Sequence, residues 1–302
     1  MANREKDTRS IKGLIDEYIE SYAKPKKMSW HDALRTLNKD VLPKWKYLPT
    51  ADITKKDVDK LLDRVGPPSA KKTLEVLQSM FAFAVEQEIL EANPCSDLLV
   101  SSEATPKDRI FNAEEIRRIW FGLETAKMPE GIKLLLKLVL LTGQRNGEVA
   151  GARWEEFDLR EKWWTIAGTR TRNKKSHQVF LTPMVVEILE QAKRIGGGSN
   201  WVFASGKDKH IAPRSVNLAI RNNSADRSLS RQNSAFGDFF KVGKFVPNDL
   251  RRTAATLMAE AGVDRVCIAK VLNQATSPDG HAPEIRQALE ILEHKLKTIL
   301  FG

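Results

Sequence analysis

Residues 134–141 place seven apolar side chains in eight positions, interrupted by Lys137. The run falls far short of the ~18 apolar residues of a membrane span. It is too apolar all round for a surface helix. It predicts a buried helix over 131–142 that Gly143 stops. Other elements must therefore wrap it. The chain has 302 residues, enough for two domains with real cores.

The natural division falls at 99–109. Asn93-Pro94 closes a helical pattern, and Val100-Ser-Ser-Glu-Ala-Thr-Pro106 reads as a linker. Before it, Ile11, Leu14, Ile15, Tyr18 and Ile19 recur at helical spacing. A shorter helix is predicted over 30–39. Thr54 caps another over 57–65, which Gly66-Pro67-Pro68 ends. Ser69 opens a longer one, with Leu74, Leu77, Phe81, Val85 and Leu90 on its buried side. Four or five short helices make a small bundle.

Beyond the linker the pattern is mixed. Asn112 followed by Glu115 is a helix-start signature leading into 116–123. A short helix follows over 146–152. The period then changes. Trp163-Trp-Thr-Ile166 and Gln178-Val-Phe-Leu181 read as strands, joined by a basic hairpin tip. Pro183 starts a helix over 184–195, and Trp201-Val-Phe203 reads as a third strand. Residues 222–236 are polar and read as a loop. Asn248 or Asp249 caps a helix that Gly262 stops. Helices over 265–273 and 283–300 complete the chain. The last has Ile285, Leu289, Leu292, Leu296 and Leu300 on one face. The fold class is mainly α with a small antiparallel β-sheet, an α+β chain.

Lys and Arg exceed Asp and Glu by ten, which points to an anionic partner. Residues 1–105 hold 17 basic and 17 acidic side chains, so the whole excess lies beyond them. Within that balance, Lys24, Lys26, Lys27, Lys55, Lys56, Lys71 and Lys72 form local basic clusters. Cys95 and Cys267 are too few for a disulfide framework or a cysteine zinc site. A reducing cytosol is the default. The opening MANREKDTRS has no apolar signal core. Tyrosine is confined to Tyr18, Tyr22 and Tyr47, and none occurs in the 255 residues that follow.

Three motifs stand out: Thr142-Gly-Gln-Arg-Asn-Gly-Glu148, the tip Arg170-Thr-Arg-Asn-Lys-Lys-Ser176 before His177, and Asn248-Asp-Leu-Arg-Arg-Thr-Ala254. Each presents cations where a helix or hairpin meets a loop. Guanidinium forks suit phosphate oxygens. In this order the motifs resemble the phage-integrase family of tyrosine recombinases, over almost the whole chain. The resemblance implies a helical core-binding (SAM-like) DNA-binding domain over 1–102 and a tyrosine-recombinase catalytic-type domain over 107–302. Many members carry a further N-terminal arm-binding domain, which this chain is expected to lack.

The family chemistry implied is phosphoryl transfer without metal or other cofactor. A tyrosine attacks the scissile phosphate and two arginines clamp its non-bridging oxygens. A hairpin lysine is the general acid, and two His or Trp positions assist. Arg145 matches the first arginine, Glu148 the acidic residue after it, and Arg251 the second arginine. The lysine position holds Arg172, which does not readily give up a proton. Lys174 and Lys175 lie close by. The His of the H-x-x-R pattern is Asn248, and the next His-or-Trp position is Gln274. Where the nucleophile segment belongs, Ala275-Thr-Ser-Pro-Asp-Gly280 has no tyrosine.

The resemblance therefore implies two phosphate clamps, Arg145 and Arg251. It implies DNA contacts from Arg170, Lys174, Lys175 and His177, and degenerate catalytic positions at Arg172, Asn248 and Gln274. The expected partner is duplex DNA, in the cytoplasm and associated with the nucleoid, with no membrane. The alternative is an active recombinase whose nucleophile is non-standard, at His281, Ser277 or Thr276, or whose tyrosine segment is deleted. A third reading is a protein- or RNA-interaction module on the same fold. Arg252 is expected to pair with Asp249 or Glu260. The leucine face of the last helix is open to core packing, or to a second copy or an active recombinase.

Overall fold

The computed structural model describes residues 9–26, 30–99, 109–206, 208–224, 238–274 and 282–302. It divides into two compact units, Met1–Lys107 and Asp108–Gly302.

In the first unit, Ser10 caps helix α1 (Ile11–Glu17), its hydroxyl accepting from the Gly13 N–H at 3.2 Å. The path continues through a π-helical stretch, Tyr18–Ala23, into α2 (Lys24–Lys26). The next rod repeats the device: α3 (Trp30–Thr36), a π-helical stretch Leu37–Val41, and α4 (Leu42–Trp45). Each wide turn directly precedes a segment holding a proline, Pro25 or Pro43. Proline has no N–H to complete the regular ladder, and the wider turn absorbs that break. The second rod consequently runs past the predicted 30–39 to Trp45.

Thr54 caps α5 (Lys55–Val65). The Asp57 carboxylate accepts from the Thr54 hydroxyl at 2.6 Å and its N–H at 3.1 Å. Those bonds hold the Asp57 carboxyl below its ordinary range. Helix α6 (Pro67–Glu86) begins two residues before the expected Ser69. A first-turn proline lacks only an N–H that has no helical partner. The helix stops at Glu86, so Leu90 packs on the core from beyond its end. That core gathers Leu14, Tyr18, Leu37, Val58, Leu77 and Phe81.

The second unit begins with α7 (Ala113–Thr125), opened by reciprocal bonds between Asn112 and Glu115 at 2.9 and 3.1 Å. Helix α8 (Glu130–Thr142) is the predicted buried segment. After α9 (Asn146–Ala150), strands β1 (Phe157–Asp158), β2 (Trp163–Ile166) and β3 (His177–Phe180) form an antiparallel sheet in that order. Helix α10 (Pro183–Ile195) follows. The expected strand at 201–203 is not the third strand of this sheet. Trp201 makes an isolated bridge to Arg153, and the chain then enters a separate hairpin, β4 (Ala204–Gly206) and β5 (Lys209–His210). Helix α11 (Pro213–Asn222) ends where the polar loop was expected, and residues 225–236 of that loop lie outside the described residues.

Helix α12 (Pro247–Glu260) starts one residue before Asn248 and two before Asp249, the caps predicted for it. Asp249 acts from inside the first turn, its carboxylate accepting from the Val246 N–H at 2.8 Å. Helices α13 (Arg265–Val271) and α14 (Ala282–Phe301) complete the unit. Helix α8 packs against α7, α10, α12 and α14. The leucine face of α14 is buried within its own unit, and Glu293 on that face accepts from the Met184 N–H of α10 at 2.9 Å. The stripe left open to a second copy is thus covered by the chain itself. No helix among the described residues is long and apolar enough to cross a membrane.

Candidate nucleic-acid interface

The site begins where α8 stops. Gly143 takes a left-handed backbone, φ 66°. A Cβ there would lie 2.9 Å from Leu272 Cδ2, so the turn and the end of α13 approach closely. Gln144 is fully buried, and its Nε2 donates to the carbonyls of Thr142 at 2.9 Å and Val271 at 2.8 Å. Arg145 stands at the N-cap of α9. The buried Glu148 carboxylate accepts from the Arg145 N–H and guanidinium, both at 3.1 Å. The other end of the guanidinium reaches the Asn273 carbonyl at 3.4 Å.

Helix α12 brings Arg251 to the same place, 5% exposed. Its Nη1 donates to the Gly143 carbonyl at 2.8 Å and its Nη2 to Leu272 at 2.6 Å. The Nε2 of His177, from β3, lies 3.1 Å from the Val271 carbonyl. A carbonyl only accepts, so Nε2 carries the proton. Three successive carbonyls at the end of α13 thus take Gln144 and His177 on residue 271, Arg251 on 272 and Arg145 on 273. The last carbonyls of a helix lack intrahelical partners and form its negative pole. Among the described residues, two helix ends, of α8 and α13, therefore hold Arg251 without a carboxylate bond.

Burial, and after it the crowding of cations, sets the proton affinities. Burial pushes His177 down to about 4, helped by Arg251 and Arg145 against the pull of the Val271 carbonyl. His177 is neutral at neutral pH. Burial and Arg145 push Arg251 down to about 10, with Glu148 opposing. It stays charged at neutral pH. Arg145 keeps 29% of its side chain exposed. The cluster offers guanidinium donors to an anion.

The hairpin tip is divided. Arg170 turns inward, to Glu156 at 2.8 Å, the Glu148 carbonyl at 3.3 Å and the Gly151 carbonyl. Its geometry is that of a brace between the hairpin and α9. Arg172, Lys174 and Lys175 are exposed. Asn173 donates from Nδ2 to Asn273 Oδ1 at 2.6 Å. Asn248 and Gln274 are both exposed, at the first turn of α12 and just beyond α13. Arg252 pairs with Asp249 at 2.9 Å. His281, Ser277 and Thr276 lie outside the described residues. Among the described residues, no group of three or more His, Cys, Asp or Glu is placed to hold a metal ion.

Gln144, Asn173 and Asn273 are the members that sequence reasoning misses. A signal exists for two of them. Gln144 separates a helix-stopping glycine from the motif arginine. Asn273 follows a helix end, where asparagine tolerates the left-handed backbone it adopts, φ 50°.

Comparison with known proteins gives the same answer for both units. Residues 12–100 match the Phage integrase central domain. Prophage integrase IntA of Escherichia coli (strain K12) is 25% identical over 240 residues, 76% of this chain and 54% of that protein. Prophage integrase IntZ of the same organism is 31% identical over 212 residues, 68% of this chain and 51% of that protein. The chain spans about half the length of these curated relatives. Among solved structures, a lambda integrase dimer bound to a COC′ core site superposes with a TM-score of 0.68 at 17% identity, covering 89% of this chain and 96% of that one. The Tn1549 transposon integrase with a circular intermediate DNA gives 0.66 at 13% identity, covering 94% and 95%. These likenesses show the shared fold. Residues 109–277, which carry all three cationic motifs, match the Phage integrase family, and the chain belongs to it.

Proposed function

We propose that this chain binds duplex DNA through the Arg145 and Arg251 cluster and does not break strands with a tyrosine. The observation that carries the proposal is the pair of guanidiniums held on the Leu272 and Asn273 carbonyls. Phosphate oxygens are the natural partners of such a pair, and phosphate contacts supply much of the affinity for DNA. The DNA-bound state of the lambda and Tn1549 integrases supports the choice of ligand. The second half rests on composition. No tyrosine follows Tyr47, and the motif resemblance puts Arg172, Asn248 and Gln274 at the family's proton-handling positions. Replacing those groups removes proton transfer and keeps hydrogen bonding.

Two measurements test this. Binding to a duplex of mixed sequence is expected to weaken steeply between about 50 and 200 mM salt. No salt-sensitive binding would overturn the DNA half, and tighter binding to RNA or an acidic protein would assign an interaction module. A nicked suicide substrate is expected to yield no covalent protein–DNA adduct. An adduct would instead assign an active integrase with a non-standard nucleophile.

A further inference from the structure

We propose that Asn173 and Asn273 form a latch that registers the β2–β3 hairpin tip over the arginine cluster, so that cations from separate segments grip one ligand as a unit. The proposal rests on the DNA-binding reading above and names two positioning residues for it. Asn273 touches both halves. Its carbonyl accepts from Arg145 at 3.4 Å, and its side-chain oxygen accepts from Asn173 at 2.6 Å. Asn173 stands between the exposed Arg172 and Lys174, and its own oxygen accepts from the Lys175 N–H at 3.2 Å. The tip is folded tightly. Thr171 Oγ1 donates to the Lys175 carbonyl at 2.7 Å, and Lys174 takes a left-handed backbone, φ 58°. A tip braced in this way moves as one piece, and the Asn173 amide fastens that piece to the end of α13.

The local chemistry at Asn273 favours a positional role. Its backbone is left-handed, a conformation that glycine adopts without steric strain. Its Nδ2 is buried without a hydrogen-bond partner among the described residues, and an unpaired buried donor is unfavourable. Glycine would satisfy the backbone and bury no amide. What the asparagine side chain contributes is the bond to Asn173. Without that bond, Arg172 and Lys174 remain charged and exposed but lose their fixed offset from Arg145 and Arg251.

The test uses the full chain and a short duplex of mixed sequence over a salt series. Asn273→Gly and Asn173→Ala are each expected to weaken binding and to flatten the salt dependence by about two phosphate contacts, those of Arg172 and Lys174. The paired change Arg172→Ala with Lys174→Ala is expected to flatten the wild-type slope similarly and to add nothing in the Asn273→Gly background. Thermal unfolding of Asn273→Gly is expected at or above the wild-type midpoint, which separates positioning from folding. Asn173→Ala, on an exposed tip, keeps the test open should Asn273→Gly fold poorly. If the wild type binds but both single variants keep its slope, the latch is overturned and DNA binding stands. The latch is equally overturned if the paired cation change costs as much with Asn273→Gly as without it. If the wild type shows no salt-sensitive binding, the reading beneath the latch falls and takes the latch with it.

Discussion

The guanidinium of Arg251 meets the backbone carbonyl of Leu272 at 2.6 Å. That contact, with its twin to Gly143 at 2.8 Å, makes Arg251 both a pillar of the second unit and a cation of its candidate site. Arg145 differs, being part-exposed and paired with Glu148. Arg251→Ala is expected to strand two buried carbonyls and lower stability by about 2–3 kcal/mol, and to weaken duplex binding. Arg145→Ala is expected to cost less stability and to reduce the salt slope of binding by about one. Chemical denaturation beside a binding series at several salt concentrations checks both.

His177 supplies a pH signature. Its folded value near 4 lies below the ordinary 6.5. The unfolded chain therefore binds the extra proton first, so stability is complete above about pH 6.5 and falls as pH drops towards 4. The loss expected from this group is about 3 kcal/mol. Urea unfolding at a series of pH values measures it. His177→Gln should remove most of the slope in that window, and an unchanged slope would assign it to other groups.

Arg170 is expected to behave as a brace. Arg170→Ala removes the bond to Glu156 and the bonds to two backbone carbonyls, at about 2 kcal/mol. The salt slope of duplex binding should move little. A drop of one or more in that slope, with stability unchanged, would return Arg170 to the DNA contacts.

Gly143→Ala tests the close approach of two segments. The left-handed backbone alone disfavours alanine by about 1–2 kcal/mol, and the new methyl meets Leu272 Cδ2 at 2.9 Å. Because Leu272 and Gly143 both receive Arg251, displacement should appear as weaker duplex binding and a lower melting temperature. A variant with wild-type affinity would show that the pocket tolerates a shift of the α13 end.

Features written in a few consecutive residues are legible in the sequence. The Asn112 and Glu115 pair opens α7, Gly143 stops α8, and the apolar run between them is buried. The two motif arginines meet because each lies at an end of a helix packed on that run. What the sequence hides depends on partners distant along the chain. Arg170 and Arg172 look alike in a basic tip, but Glu156 and the α9 carbonyls take the first and leave the second exposed. Asn173 finds its acceptor 100 residues away. The third strand, β1, is two residues long, too short for alternation to register, so the longer apolar stretch at 201–203 attracts the assignment instead. The wide helical turns before Pro25 and Pro43 escape notice because proline signals a break more readily than a change of pitch.

Carbonyl oxygens have no proton to gain or lose in ordinary buffers. A cation resting on carboxylates loses its counter-charge in acid, and its field at the surface changes with it. Arg251 rests on peptide dipoles, so its direct anchors do not titrate, and acidity reaches it only through its neighbours Glu148 and His177.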